Sequence, residues 1–212
     1  MEEADFLIYL SELLVKSGKK VAVLDDSKEK DIFALLPFQE KDNIFTYHGV
    51  EYYKIILEKT DLEQFDTYDI VFFIIGCKAG RMEFHIPIEV FYVFLTANRK
   101  GIEKTIETVW EQEVPVVLFI RNFCEYKITA AYIRGLWREA RGNIVGWYEI
   151  PFDSIDYEYA IRMQYEPVNG YRQLSKEMKE ALIIVSSRLA GLTQKEEKRI
   201  YKKLKRGKKL CR

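Results

Sequence analysis

Two adjacent carboxylates, Asp25 and Asp26, follow the apolar run Val21-Ala22-Val23-Leu24 and precede Ser27. Carboxylates at the end of a buried strand stand at the edge where open α/β sheets bind ligands, which allows a metal or nucleotide contact at Asp25. The competing reading is a helix cap, because an Asp before Ser27 and Lys28 offers oxygens to the unpaired N–H groups of a following helix. Asn122 ends a second apolar run, Val114 to Ile120. Its amide could meet a nucleotide base, or could simply turn the chain at a strand end. Gly76-Cys77-Lys78-Ala79-Gly80-Arg81 is a basic loop at the same expected edge, suited to an anion or to a surface turn.

Other reactive side chains are sparse. His48 and His85 are the only histidines and lie in separate segments with no Cys or carboxylate at ligand spacing, whereas zinc collects three or four such groups. Cys77, Cys124 and Cys211 form no CxxC pair and are too few for a disulfide framework, so reduced thiols are expected. Cys124 has no base near it in sequence to make it a nucleophile.

The elements that would position these groups follow from hydrophobic spacing. Phe6, Leu7, Leu10, Leu13 and Leu14 recur at helical intervals over residues 3 to 17, predicting a helix with one buried stripe. The turn at Gly18 leads into a strand over 21–24. A short helix is expected over 31–36 before Pro37, and an edge hairpin or short strand over 43–53. Ile70 to Ile75 are six consecutive apolar residues, the pattern of a strand covered on both faces. Further strands are expected within 88–95, 114–120 and 143–148, with helices at 100–112, 128–140, 155–163 and 175–192. This alternation predicts an α/β protein, a mostly parallel sheet between two helical layers.

The chain has 212 residues, with 33 Lys and Arg balanced by 33 Asp and Glu, and 48% hydrophobic residues. That is room for one packed domain, and it excludes collagen-like and mostly disordered chains. Charge is uneven, however. Residues 194–212 hold ten Lys or Arg against two Glu, including Lys195, Lys198, Arg199, Lys202, Lys203, Lys205 and Arg206. We therefore expect a domain over 1–192 and a basic tail or helix extension over 193–212. The tail could contact an anionic membrane or nucleic acid, or a protein partner. Acids near Met1 and the lack of an apolar run of about 18 residues predict a cytoplasmic protein without a transmembrane segment, membrane-associated only through such contacts. Aromatics reach 14% and cluster at 45–53, 147–148 and 157–165, a composition favoured at protein interfaces.

In the order of its pieces the chain resembles the MinD and ParA family of P-loop ATPases, most closely the pilus-assembly and septum-site types. Ser17-Gly18-Lys19-Lys20-Val21-Ala22-Val23-Leu24-Asp25-Asp26 is similar to the turn and strand that follow the family's first helix. Tyr68-Asp69-Ile70-Val71 resembles the start of its Walker B strand. Val114 to Asn122 is similar to the strand whose terminal asparagine faces the base, and Ile144 to Asp153 to the late strand ending in Ile150-Pro151. The resemblance covers nearly all of residues 2–192. It implies a three-layer, P-loop NTPase-like fold of the SIMIBI type, with Asp25, Asn122 and Pro151 as its nucleotide-facing positions.

The family's phosphate machinery does not carry over. Aligned on the first helix, the motif's GKTT falls on Glu2-Glu3-Ala4-Asp5, acids where a polyphosphate would sit. The Walker B aspartate falls near Ile74, and Ser27 stands where the switch aspartate is expected. The first strand and phosphate loop are absent from the sequence, which should leave a gap inside the sheet or force its strands to rearrange. No catalytic residue, cofactor or metal is therefore expected. What the resemblance implies is a non-hydrolysing scaffold or regulatory protein, homodimeric or bound to protein partners, in a pilus, secretion or positioning assembly. The alternative is an ATPase that binds ATP and magnesium through a phosphate loop supplied upstream or by a partner.

Overall fold

The computed structural model describes residues 3–27, 30–37, 43–56, 60–75, 87–109, 114–123, 127–138, 143–166, 171–193, 195, 196 and 199. The chain forms two compact units, one from Met1–Gly76 with Ile155–Arg212 and the other from Cys77–Ser154.

In the first unit, helix α1 (Ala4–Lys16) ends at Ser17, and Gly18 follows with φ +93°, a left-handed conformation that closes the helix and starts the tight turn into strand β1 (Val21–Asp25). Strands β2 (Ile44–Tyr47) and β3 (Val50–Lys54) make an antiparallel hairpin. β3 then runs parallel to β1, and β1 parallel to β4 (Ile70–Ile74), giving the order β2-β3-β1-β4. Successive strand residues face opposite ways. Ala22 and Leu24 of β1 therefore pack with Ile55 and Phe65, while Val23 and its β3 neighbour Tyr52 look the other way, onto the side of the sheet that α1 covers. Helix α2 (Asp31–Leu35) and helix α6 (Lys176–Ala190) pack beside α1. That explains why α1 is buried from Ala4 to Leu14 on more than the single stripe its leucines predict, at every position but Leu7.

His48 (φ +50°) and Gly49 (φ +82°) form the hairpin turn, whose left-handed pair matches the twist of the flanking strands. A Cβ on Gly49 would stand 2.9 Å from Val15 Cγ1. Gly49→Ala should cost more than about 1 kcal/mol, read from the urea midpoint. Gly135, helical, exposed and with nothing within 4 Å of an added Cβ, is the control, and Gly135→Ala should stabilise by about 0.5–1 kcal/mol.

In the second unit, β5 (Phe91–Leu95), β6 (Val116–Phe123) and β7 (Ile144–Pro151) form a parallel sheet. One face, with Val93, Leu95, Val116, Leu118 and Ile120, packs on Ile102 of α3 (Arg99–Val109) and on Ala130, Ile133 and Trp137 of α4 (Ala130–Arg138). The other carries an aromatic stack. The Phe119 ring lies 4.6 Å from Phe94 and 5.0 Å from Tyr148, nearly parallel to both.

The α/β class and the mostly parallel strands are as expected, and among the described residues the strands hydrogen-bond in a set of four and a set of three. β4 is the last strand of its set. Its Ile70 to Phe73 are only half-buried, a correction to the strand covered on both faces that six apolar residues predict. At the far end, α6 stops at Gly191 (φ +68°), and Thr193 makes a new cap, donating its N–H and hydroxyl to the Glu196 carboxylate and accepting from Glu196 N–H. This cap lies two residues past the Gly191 stop of α6. Apart from Lys195 and Arg199 the cations of the basic segment lie outside the described residues.

Candidate functional site

Each unit presents a crest where its parallel strands end. In the first, Asp25 closes the central strand β1 and is fully buried. Its Oδ1 accepts from Ser27 N–H at 2.9 Å and from Ser27 Oγ at 2.5 Å, an Asx turn, and the carboxylate also accepts from Ile32 N–H. Asp26 N–H donates to Ile74 O at 2.8 Å, tying the ends of β1 and β4 together. Lys30 stands over the same crest. Its Nζ donates to Asp25 O at 2.7 Å and to Ile55 O at 3.0 Å, and its backbone is left-handed at φ +53°.

Burial pushes the Asp25 carboxyl above the ordinary aspartate range, against the opposing pull of the Ser27 hydrogen bonds and the Lys30 charge. A raised acid binds its proton more tightly folded than unfolded. As pH rises through and above the ordinary aspartate value, the unfolded chain releases that proton first, and stability falls across that window. Asp25→Asn keeps an oxygen for Ser27 and carries no charge. It should be more stable than the parent at pH 7, with the gap closing near pH 3, measured by calorimetric melting at both pH values.

In the second unit Asn122 and Pro151 come together at the ends of β6 and β7. Arg121 pairs with Ile150 and Phe123 with Pro151, so Asn122 is the extra residue of a bulge, with φ +55°. Asparagine tolerates that conformation better than most residues. Pro151, lacking an N–H, sits at the last position of an edge strand, where none is needed. Asp25 belongs to the other unit.

His48 is committed to a structural pair. Its Nδ1 lies 2.6 Å from Oε1 of Glu12, a buried carboxylate of α1 that Lys16 Nζ also approaches at 3.4 Å, and its ring stacks on Tyr47 at 4.0 Å. Among the described residues no group of three His, Cys, Asp or Glu could hold a metal ion. His85, Cys77, Cys124, Cys211 and the loop from Gly76 to Arg81 lie outside them. The aromatic clusters divide between core and surface. Tyr52 is fully buried and Tyr148 is part of the stack, whereas Tyr157 and Tyr165 are 53% and 83% exposed, as is Ile155 at 47% and, in the second unit, Phe152 at 54%. Sequence spacing missed Glu12 with His48, and Lys30. The His48-Gly49 dipeptide between aromatic residues was a usable turn signal, but nothing around Lys30 marked it.

No protein-family model and no curated protein matches the sequence. In structure the chain is similar to the MinD cell division protein of Aquifex aeolicus, with a TM-score of 0.57 at 13% identity over 91% of this chain and 92% of that one. The fold is MinD-like. Within the described residues, no helix of this MinD-like chain is long and apolar enough to cross a membrane.

Bound ATP and magnesium, which the P-loop resemblance would bring, do not fit the residues present. At the helix start assigned to phosphate, the Asp5 carboxylate is buried in the first turn of α1. A second negative charge there would be repelled at short range in a poorly solvated place. At the end of β4, where a metal-associated carboxylate would stand, the side chain is Ile74, 7% exposed. At the end of β1 a lysine ammonium occupies the strand-end oxygens.

Proposed function

We propose that this chain is a non-hydrolysing MinD-like scaffold or regulatory protein, built over residues 1–192 and acting through protein–protein contacts in a pilus, secretion or positioning assembly. The observation that carries this is the buried Asp5 carboxylate in the first turn of α1, where a nucleotide-hydrolysing relative needs backbone N–H groups and a lysine facing phosphate. The exposed Ile155 and Tyr157 of α5 (Ser154–Arg162) and Tyr165 after it, all in the first unit, support a contact surface, since aromatic side chains bury large area at low entropic cost. The basic segment after Thr193 is the part of the chain suited to an anionic surface. Deleting residues 194–212 should abolish whatever salt-sensitive binding the protein shows.

The test is calorimetric titration with ATP and with ADP in the presence of magnesium, with the oligomeric state followed by light scattering. No heat up to millimolar nucleotide is the expected result. Saturable micromolar binding, above all with nucleotide-dependent dimerisation, would overturn it in favour of an ATPase whose phosphate loop comes from upstream or from a partner.

A further inference from the structure

The crest of β1 is rich in the oxygens that hard divalent cations choose: the main-chain oxygens of Asp25 and Ile55, the Asp25 carboxylate and the Ser27 hydroxyl. Two of these, the main-chain oxygens, share one lysine. The Lys30 ammonium caps the two main-chain oxygens, and its charge acts on the carboxylate of Asp25. Reaching them coincides with a left-handed backbone at Lys30, a conformation that non-glycine residues rarely adopt. Such strain persists only where surrounding contacts hold it, and the two bonds from Nζ are such contacts. The Asp25 carboxylate, fully buried, accepts from Ser27 N–H and Oγ and from Ile32 N–H.

We propose that Lys30 is a built-in cation that takes the place of an external divalent ion at the crest of β1 and closes that site. The main-chain oxygens that would coordinate the ion are held by the ammonium, and the positive charge that would compensate Asp25 is supplied covalently, by a side chain that cannot dissociate. This deepens the non-hydrolysing reading and rests on it for its functional meaning: a crest closed in this way has no exchangeable metal to bring to a phosphate.

Manganese alone is the probe, and free Mn²⁺ is counted by electron paramagnetic resonance on the full chain. Parent protein and Lys30→Arg, which keeps a cation there, should leave Mn²⁺ free. Lys30→Met, which keeps the stem and loses the charge, should bind one Mn²⁺ at least about tenfold more tightly than the parent, and adding Asp25→Asn should remove the gain. Binding by Lys30→Met no tighter than by the parent, or a gain that survives Asp25→Asn, overturns the proposal. Should Lys30→Met fail to fold, acetic anhydride labelling of the parent decides instead. Lys30 should react roughly tenfold more slowly than the exposed Lys100, and equal rates overturn the proposal. The two readings fail separately. Heat with ATP would sink the non-hydrolysing assignment, whereas a silent Lys30→Met would remove only the role given to Lys30.

Discussion

Replacing Trp137 with alanine is expected to cost about 3–5 kcal/mol, a large share of the 5–15 kcal/mol that holds a typical domain. Trp137 is 1% exposed and heads the fully buried side chains by volume. It projects from α4 into the cluster of Val93, Leu95, Val116, Leu118, Ile120 and Ile133, so its removal leaves a cavity lined by strand residues that cannot move inward without breaking their ladder. The loss combines the transfer of the indole to water with the contacts its neighbours forfeit. Its Nε1–H has no hydrogen-bond partner, so Trp137→Phe loses area without orphaning an acceptor and should cost well under half as much. Urea unfolding followed by far-ultraviolet circular dichroism measures both. A Trp137→Ala loss below about 1 kcal/mol would mean that α4 does not pack on the sheet as described.

A comparable loss, again about 3–5 kcal/mol, is expected for Phe6→Ala in the other unit. Phe6 is 1% exposed on a helix that has no solvent face to relax toward, because β1 and β3 lie under it and α2 and α6 beside it. Phe6→Leu, with most of the volume kept, should lose less than about 1.5 kcal/mol. Thermal melting gives the magnitude. Limited proteolysis localises it, since loosening α1 should expose new cleavage sites in the first unit before any in the second.

Most of this architecture was legible in the sequence because its signals are local. Unbroken apolar runs marked β1, β4 and β6, and helical spacing, with a glycine stop at Gly18 for the first, marked α1 and α6 within two residues. The strand ends were misjudged where polar residues continue the ladder. β6 runs on through Arg121 and Asn122 because a bulge absorbs Asn122, and β7 runs on to Pro151 because an edge strand tolerates proline. The half-buried character of β4 was not legible. Six apolar residues read alike in a central and in a terminal strand, and only the pairing decides which it is. The crest divided in the same way. Asp25 was found because it ends a run, whereas the meeting of Asn122 and Pro151 comes from the β6–β7 ladder, which pairs Phe123 with Pro151 and leaves Asn122 in a bulge. Lys30 was invisible, because its role depends on a left-handed backbone and on a main-chain oxygen 25 residues away, neither of which leaves a pattern in composition or spacing.

The interleaving of the two units has a consequence in time. Residues 77–154 are contiguous and hold every strand and helix of their own core, whereas the first unit is assembled from both ends of the chain. A ribosome releases the chain from its amino end, at about 5–20 residues per second. The later unit can therefore close on its own while α1 waits for α6, made about 160 residues after it, to cover it. For about 8–32 seconds of each synthesis Phe6, Ile8, Leu10 and Leu13 lack that cover, and α1 is the segment that a nascent-chain chaperone would find exposed.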